Sequence, residues 1–183
     1  LILYVFREVR LTQGIESPSS VTTYLRDYIR MSRALGLEYE KYPKSLKKVH
    51  DVVQMNYKVI NESEEQSRLF KLAVDKKSYQ MLEFVQKKEK YAVVLPTSSQ
   101  DIVKEGNELS HCVASYVRDV TSDKCKILFL RDTENIEQPL ATIEVRGMNI
   151  RQARGHGNRA IPQEQKDFIK KWAEEKKLVE AYY

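Results

Sequence analysis

Four consecutive segments decide the fold: KILFLR (126–131), DTENIEQP (132–139), LATIEVR (140–146) and NIRQAR (149–154). The first is an apolar run of strand length. The second is a polar turn. The third alternates well enough to be a second strand, and Gly147 marks a tight turn into the fourth, read as a third strand. Together they predict a small antiparallel meander. If Gly147-Met148 is a two-residue turn, Glu144 lies opposite Arg151.

Upstream, YAVVLP (91–96) is a further strand stopped by Pro96. Ser98 or Ser99 caps a short helix, SQDIVKEG, with Gly106 as its stop. ELSHCVASYVRDV (108–120) is expected to be helical, with Leu109, Val113, Tyr116 and Val117 on one face. Downstream, GHGN (155–158) is a glycine-rich break. Pro162 then opens a last helix that buries Phe168, Ile169 and Trp172.

Residues 15–90 read as nearly all helix. Ser17-Pro18 starts one helix that Gly36 ends, with Val21, Tyr24, Leu25, Tyr28 and Ile29 on its apolar side. Pro43 opens a second, with Leu46, Val49, Val53 and Tyr57 buried and His50 structural. Helix continues from Glu62 to Val74. Ser78 caps another that holds Leu82 and Val85 and runs to QKKEK (86–90). LILYVF (1–6) is a core strand or a cut helix, too short to span a membrane and lacking a leader pattern. The expectation is an α+β protein: a mainly helical region over 1–90, then a core over 91–183 in which helices flank the meander.

The 183 residues suffice for a core without staples, and 42% hydrophobic content is ordinary for a globular chain. Two cysteines are too few for a disulfide framework, so a reducing compartment is expected. Residues 1–90 carry 17 Lys and Arg against 12 Asp and Glu, whereas residues 91–183 carry 14 of each. The basic excess suits a polyanion partner or a solvated helical surface, including the Arg26, Arg30 and Arg33 stripe.

Candidate chemistry concentrates in two places. His111 and Cys112 are adjacent, and helical neighbours point about 100° apart, so they do not form a nucleophile–base pair with each other. Cys112 would need His156 instead. His111, Tyr116, Glu144 and Gln152 together would line a cleft able to polarise a nucleotide-like substrate, with Glu144 as a general base. Neither CxxC nor HExxH is present, and no metal or cofactor is expected. The second place is RGMNIRQARGHGNR (146–159), four arginines and a histidine without an acidic residue. Arg151, Gln152, Arg154, His156 and Asn158 there are candidates for phosphate or nucleic-acid binding, and the GHGN backbone for an anion nest. The competing reading is a hairpin whose arginines pair with neighbouring carboxylates.

The run VVLPTSSQDIVKEGNELSHCVASY (93–116), with ILFLR, PLATIEV and IRQARGHGNR after it, resembles the PcfJ-like protein family. TYLRDYIRMSRALGLEYEKYPKSLKKVHD (23–51) resembles the helical region that precedes that core. The family often has HCVG where this chain has Ala114. The resemblance implies a cytoplasmic protein of conjugative plasmids, integrative elements or phages, with conjugation or phage proteins as partners and no membrane. The expected function is a mobile-element accessory protein that binds nucleic acid or a DNA-processing partner through the basic helices and the Arg-rich hairpin. The alternative is an enzyme acting on a nucleotide or nucleic acid with His111 and Glu144, Cys112 or His156.

Overall fold

The computed structural model describes residues 1–11, 15, 17–60, 64–110 and 116–180. The chain forms two compact units, Leu1–Asn61 and Glu62–Tyr183.

The first unit contains α1 (Ile2–Leu11), α2 (Pro18–Ala34) and α3 (Leu46–Ile60). LILYVF is thus helix, with Tyr4 and Val5 turned inward. Ser17 caps α2 by accepting from the Ser20 N–H, as its sequence predicts. Gly36 ends it at φ +66°, and the Leu37 N–H returns to the Ser32 carbonyl. α3 begins three residues after Pro43, because the Pro43 carbonyl is held by the Tyr4 hydroxyl and by Arg7. The buried Glu8 carboxylate accepts the Leu46 N–H and so caps α3 from another helix. His50 is buried beside Asp51 with its ring edge-on to Tyr24, a structural position.

The second unit contains α4 (Glu64–Val74), α5 (Lys77–Gln80), β1 (Tyr91–Val94), α6 (Ser99–Glu108), α7 (Tyr116–Thr121), β2 (Lys126–Asp132), β3 (Asn135–Arg146), β4 (Asn149–Arg154), a 3-10 turn at His156–Asn158, α8 (Gln163–Lys176) and β5 (Val179–Glu180). The five strands form one sheet in sequence order. Pairing is antiparallel except between β4 and β5. The α+β architecture and the meander are therefore present. The short parallel β5 was not foreseen, since two residues carry no periodicity.

Three local expectations are corrected. Residues 81–90 do not continue a helix: Phe84 exchanges both backbone hydrogen bonds with Val93. Leu82 and Phe84 are buried whereas Glu83 and Val85 are exposed, a period of two rather than 3.6. Gly106 lies inside α6, and the helix ends where Ser110 turns to φ +53°, so no continuous helix runs over 108–120. The β2–β3 connection is shorter than expected, because Asp132 and Asn135 already pair.

One sheet face packs on α8, where Trp172 is fully buried and its indole N–H reaches the Leu82 carbonyl. The other packs Ile127 and Phe129 against α4, α6 and α7. Beyond the end of β1, the Tyr79 hydroxyl accepts from the Ile127 N–H and donates to its carbonyl. Those backbone groups have no β1 partner and would otherwise be stranded. The same face buries a charge pair, Arg131 of β2 with Glu105 of α6, joined by the Thr142 hydroxyl of β3. Burial pushes the Glu105 carboxyl up, against the pull of Arg131.

Breaking that pair leaves a buried charge unanswered, whereas replacing both members removes the problem. Arg131→Ala is expected to lower stability by about 3–5 kcal/mol in urea unfolding followed by Trp172 fluorescence. The double change Glu105→Leu with Arg131→Met is expected to cost much less. Equal losses would show that the pair does not act as a unit.

Candidate functional site

Glu144 sits on the α7 side of β3 and is 5% exposed. An isolated carboxylate there would be costly, and three hydrogen bonds answer it. Arg146 Nε donates to Oε1 at 2.6 Å. The Tyr116 hydroxyl (3.0 Å) and Gln152 Nε2 (2.7 Å) both donate to Oε2. Gln152 Nε2 also donates to the Tyr116 oxygen at 3.0 Å. Arg146 leans on to Asp119 of α7 at 3.8 Å. Burial alone would raise the Glu144 carboxyl, but the bonds from Arg146, Gln152 and Tyr116 outweigh it and hold its pKa below the ordinary value. Tyr116 moves the other way, to about 12, through burial and the adjacent carboxylate.

Gln152 reaches Glu144 because the β3–β4 register breaks. Glu144 pairs with Gln152, and Val145 pairs with Ile150. Arg151 is therefore the extra residue of a β-bulge, and the expected Glu144–Arg151 pair does not form. The turn itself is as expected, with Arg146 opposite Asn149 and Gly147 at φ +58°. The bulge keeps Ile150 and Ala153 in the core and leaves Arg151 exposed.

The GHGN segment folds back on itself. The Gly155 N–H donates to the Arg159 carbonyl, the Arg159 N–H to the His156 carbonyl, and the Gly157 N–H to the Leu109 carbonyl. Gly157 and Asn158 both have positive φ. Two of the four GHGN backbone donors, those of Gly155 and Gly157, are thus spent within the protein. The His156 ring nitrogen Nε2 lies 3.1 Å from the Ser110 hydroxyl. His156, Asn158, Arg154 and Arg159 are exposed. Arg151, Arg154 and Arg159 have no carboxylate partner among the described residues.

Tyr116, Glu144 and Gln152 thus converge from α7, β3 and β4, as the residue types suggested. His111 and Cys112 lie outside the described residues, as do Val113 and Ala114. Cys125 is buried, and burial with the nearby Glu144 and Asp119 carboxylates pushes its thiol up to about 12, which disfavours the thiolate. Among the described residues, no three His, Cys, Asp or Glu side chains gather to hold a metal ion. No described helix is long and apolar enough to cross a membrane. The sequence reading missed Arg146 and Asp119 as members of the Glu144 network. The signal was present, because Glu144 and Arg146 are two apart on a strand and share a face.

Since the folded Glu144 carboxyl binds its proton less readily than the unfolded chain does, its contribution is complete above about pH 4.3 and is lost as pH falls through the lower folded value. Between about pH 5 and pH 3, the urea midpoint of the wild type is expected to fall more than that of Glu144→Gln. Parallel curves would mean that the network does not favour the carboxylate.

A family model described as PcfJ-like protein matches residues 24–169. An uncharacterised protein of Listeria innocua is 29% identical over 158 residues, which cover 82% of this chain and 34% of that protein. The chain therefore spans about a third of the length of the curated relative it matches. No solved structure matches. With the family model extending from α2 into α8, across well over half of its residues, the chain belongs to the PcfJ-like protein family.

Proposed function

We propose that this chain is the nucleic-acid-binding part of an accessory protein of a mobile genetic element, acting in the cytoplasm beside conjugation or phage DNA-processing proteins. Arg151, Arg154 and Arg159 grip the sugar–phosphate chain, and His156 and Asn158 add side-chain contacts. The observation that carries this reading is the set of three exposed arginines on β4 and its following turn that lack a carboxylate among the described residues. Some other cations of the same unit are engaged, Arg68 with Glu65, Lys76 with Asp123, Lys90 with Glu164 and Lys171 with Glu89, whereas the exposed Arg118 lies on α7 and not on this strand. Guanidinium groups without internal partners are suited to phosphate, which they grip through paired hydrogen bonds.

In the first unit, Arg30 lies 3.7 Å from Asp27 and Arg33 donates to the Tyr39 hydroxyl, so the α2 stripe supports the reading less than β4 does. Catalysis at Glu144 fits less well. Its pKa lies below the ordinary value and its oxygens already accept three hydrogen bonds, whereas a general base works best near the operating pH. The mobile-element setting rests on the family. The activity of the longer protein to which the relative corresponds is part of the proposal.

Binding of labelled single-stranded DNA, followed by fluorescence anisotropy across a salt series, tests this. The triple change Arg151→Ala, Arg154→Ala and Arg159→Ala is expected to weaken binding and to reduce the log–log salt slope by about 2, three phosphate contacts at roughly 0.7 each. Arg68→Ala, which removes an exposed paired arginine, is expected to change neither. Absence of wild-type binding, or a triple variant with unchanged slope, overturns the reading.

A further inference from the structure

Gln152 stands on β4 between two of the unpaired arginines, and its amide is locked. Both hydrogens of Nε2 are committed, one to Glu144 Oε2 at 2.7 Å and one to the Tyr116 oxygen at 3.0 Å. Turning the amide over would set its carbonyl oxygen against the Glu144 carboxylate, acceptor against acceptor. The orientation is therefore fixed by charge. Oε1 points away from Glu144 and has no hydrogen-bond partner among the described residues. The side chain is half-buried, unlike its exposed neighbour Arg151. Arg151 and Arg154 stand three residues apart, roughly 10 Å along an extended strand.

A fixed acceptor flanked by phosphate-binding cations distinguishes bases by their hydrogen-bonding edge. We infer that Gln152 is the base-reading residue of this surface: its Oε1 accepts a hydrogen bond from the exocyclic amine of a base whose flanking phosphates Arg151 and Arg154 hold. This rests on the nucleic-acid reading above. Cytosine and adenine present an amine donor at that edge, whereas uracil and thymine present a carbonyl acceptor. With the amide unable to rotate, a carbonyl meets only Oε1, and no alternative pairing relieves the contact. Because Gln152 is half-buried, the base must be unstacked to reach it, which favours a single strand over a duplex.

The test compares oligo(dC) with oligo(dU) of equal length, at fixed salt and neutral to mildly alkaline pH. The two bases share ring size and differ at the 4-position, amine against carbonyl. The wild type is expected to bind oligo(dC) about fivefold more tightly, the worth of one net hydrogen bond of roughly 1 kcal/mol. Gln152→Met, matched in length but without the amide, is expected to bind both equally with an unchanged salt slope. Tyr116→Phe keeps the amide but removes the acceptor of one Nε2 hydrogen, and is expected to reduce the preference while leaving the slope unchanged. The wild-type comparison needs no variant to fold.

Equal binding of both oligonucleotides by the wild type, with normal salt dependence, overturns the inference and leaves the arginine reading standing. A cytosine preference that persists in folded Gln152→Met also overturns it. No binding of either oligonucleotide removes both readings together.

Discussion

The Glu144 carboxylate sets the terms for the second unit of this molecule. It is buried on a sheet face that packs against helices, so it must be met by donors or be protonated. Arg146 supplies one oxygen from the same strand face, and Tyr116 reaches the other from α7. The remaining donor, Gln152, lies opposite Glu144 only because β4 carries one extra residue before it. In the unbulged register, Arg151 would occupy that position. The bulge thus exchanges an ion pair for an amide and releases the arginine to the surface. One buried charge therefore accounts for both the ordered polar cluster and the free cation beside it.

The opposite sheet face needs no such device. Ile143, Val145, Ile150 and Ala153 meet Ile169, Trp172 and Ala173 of α8 in an apolar layer. The division of labour follows from strand alternation, which puts Ile143 and Val145 on one side and Thr142 and Glu144 on the other. The polar side carries two buried carboxylates, Glu105 and Glu144, each held by an arginine from a strand. In both cases the pair ties a helix to the sheet: α6 directly through Glu105, and α7 through Tyr116 and Asp119.

Much of this was legible in the sequence where local chemistry dominates. The Ser17 and Ser98 caps, the Gly36 stop, the strands over 126–131 and 149–154 and the Gly147 turn all follow from residue types at fixed offsets. The convergence of Tyr116, Glu144 and Gln152 was anticipated from residue types in neighbouring elements. What escaped the sequence is set by tertiary contacts. The bulge at Arg151 depends on the apolar positions Ile150 and Ala153 both seeking the α8 side, although they are three residues apart. The course of residues 81–90 depends on Phe84 pairing with Val93. The end of α6 depends on Ser110 adopting a left-handed conformation, for which serine is not a usual signal. The GHGN backbone looked free for anions because nothing local announces that Leu109 accepts one of its donors.

Those same contacts link the arginine-bearing strand to the helices that border it. Ser110, after α6, meets His156 of the 3-10 turn, and Leu109 accepts from Gly157. Tyr116, which opens α7, meets Gln152 of β4. Residues 110 and 116 are thus each bonded to the segment that displays Arg151, Arg154 and Arg159. A slip of β4 by one residue would carry Gln152 away from both Glu144 and Tyr116 and turn its side chain to the apolar face. It would also strip Leu109 and Ser110 of their partners in the turn. The register that satisfies Glu144 is therefore the register that fixes the spacing of the surface cations, and buried electrostatics, rather than the arginines themselves, determine that spacing.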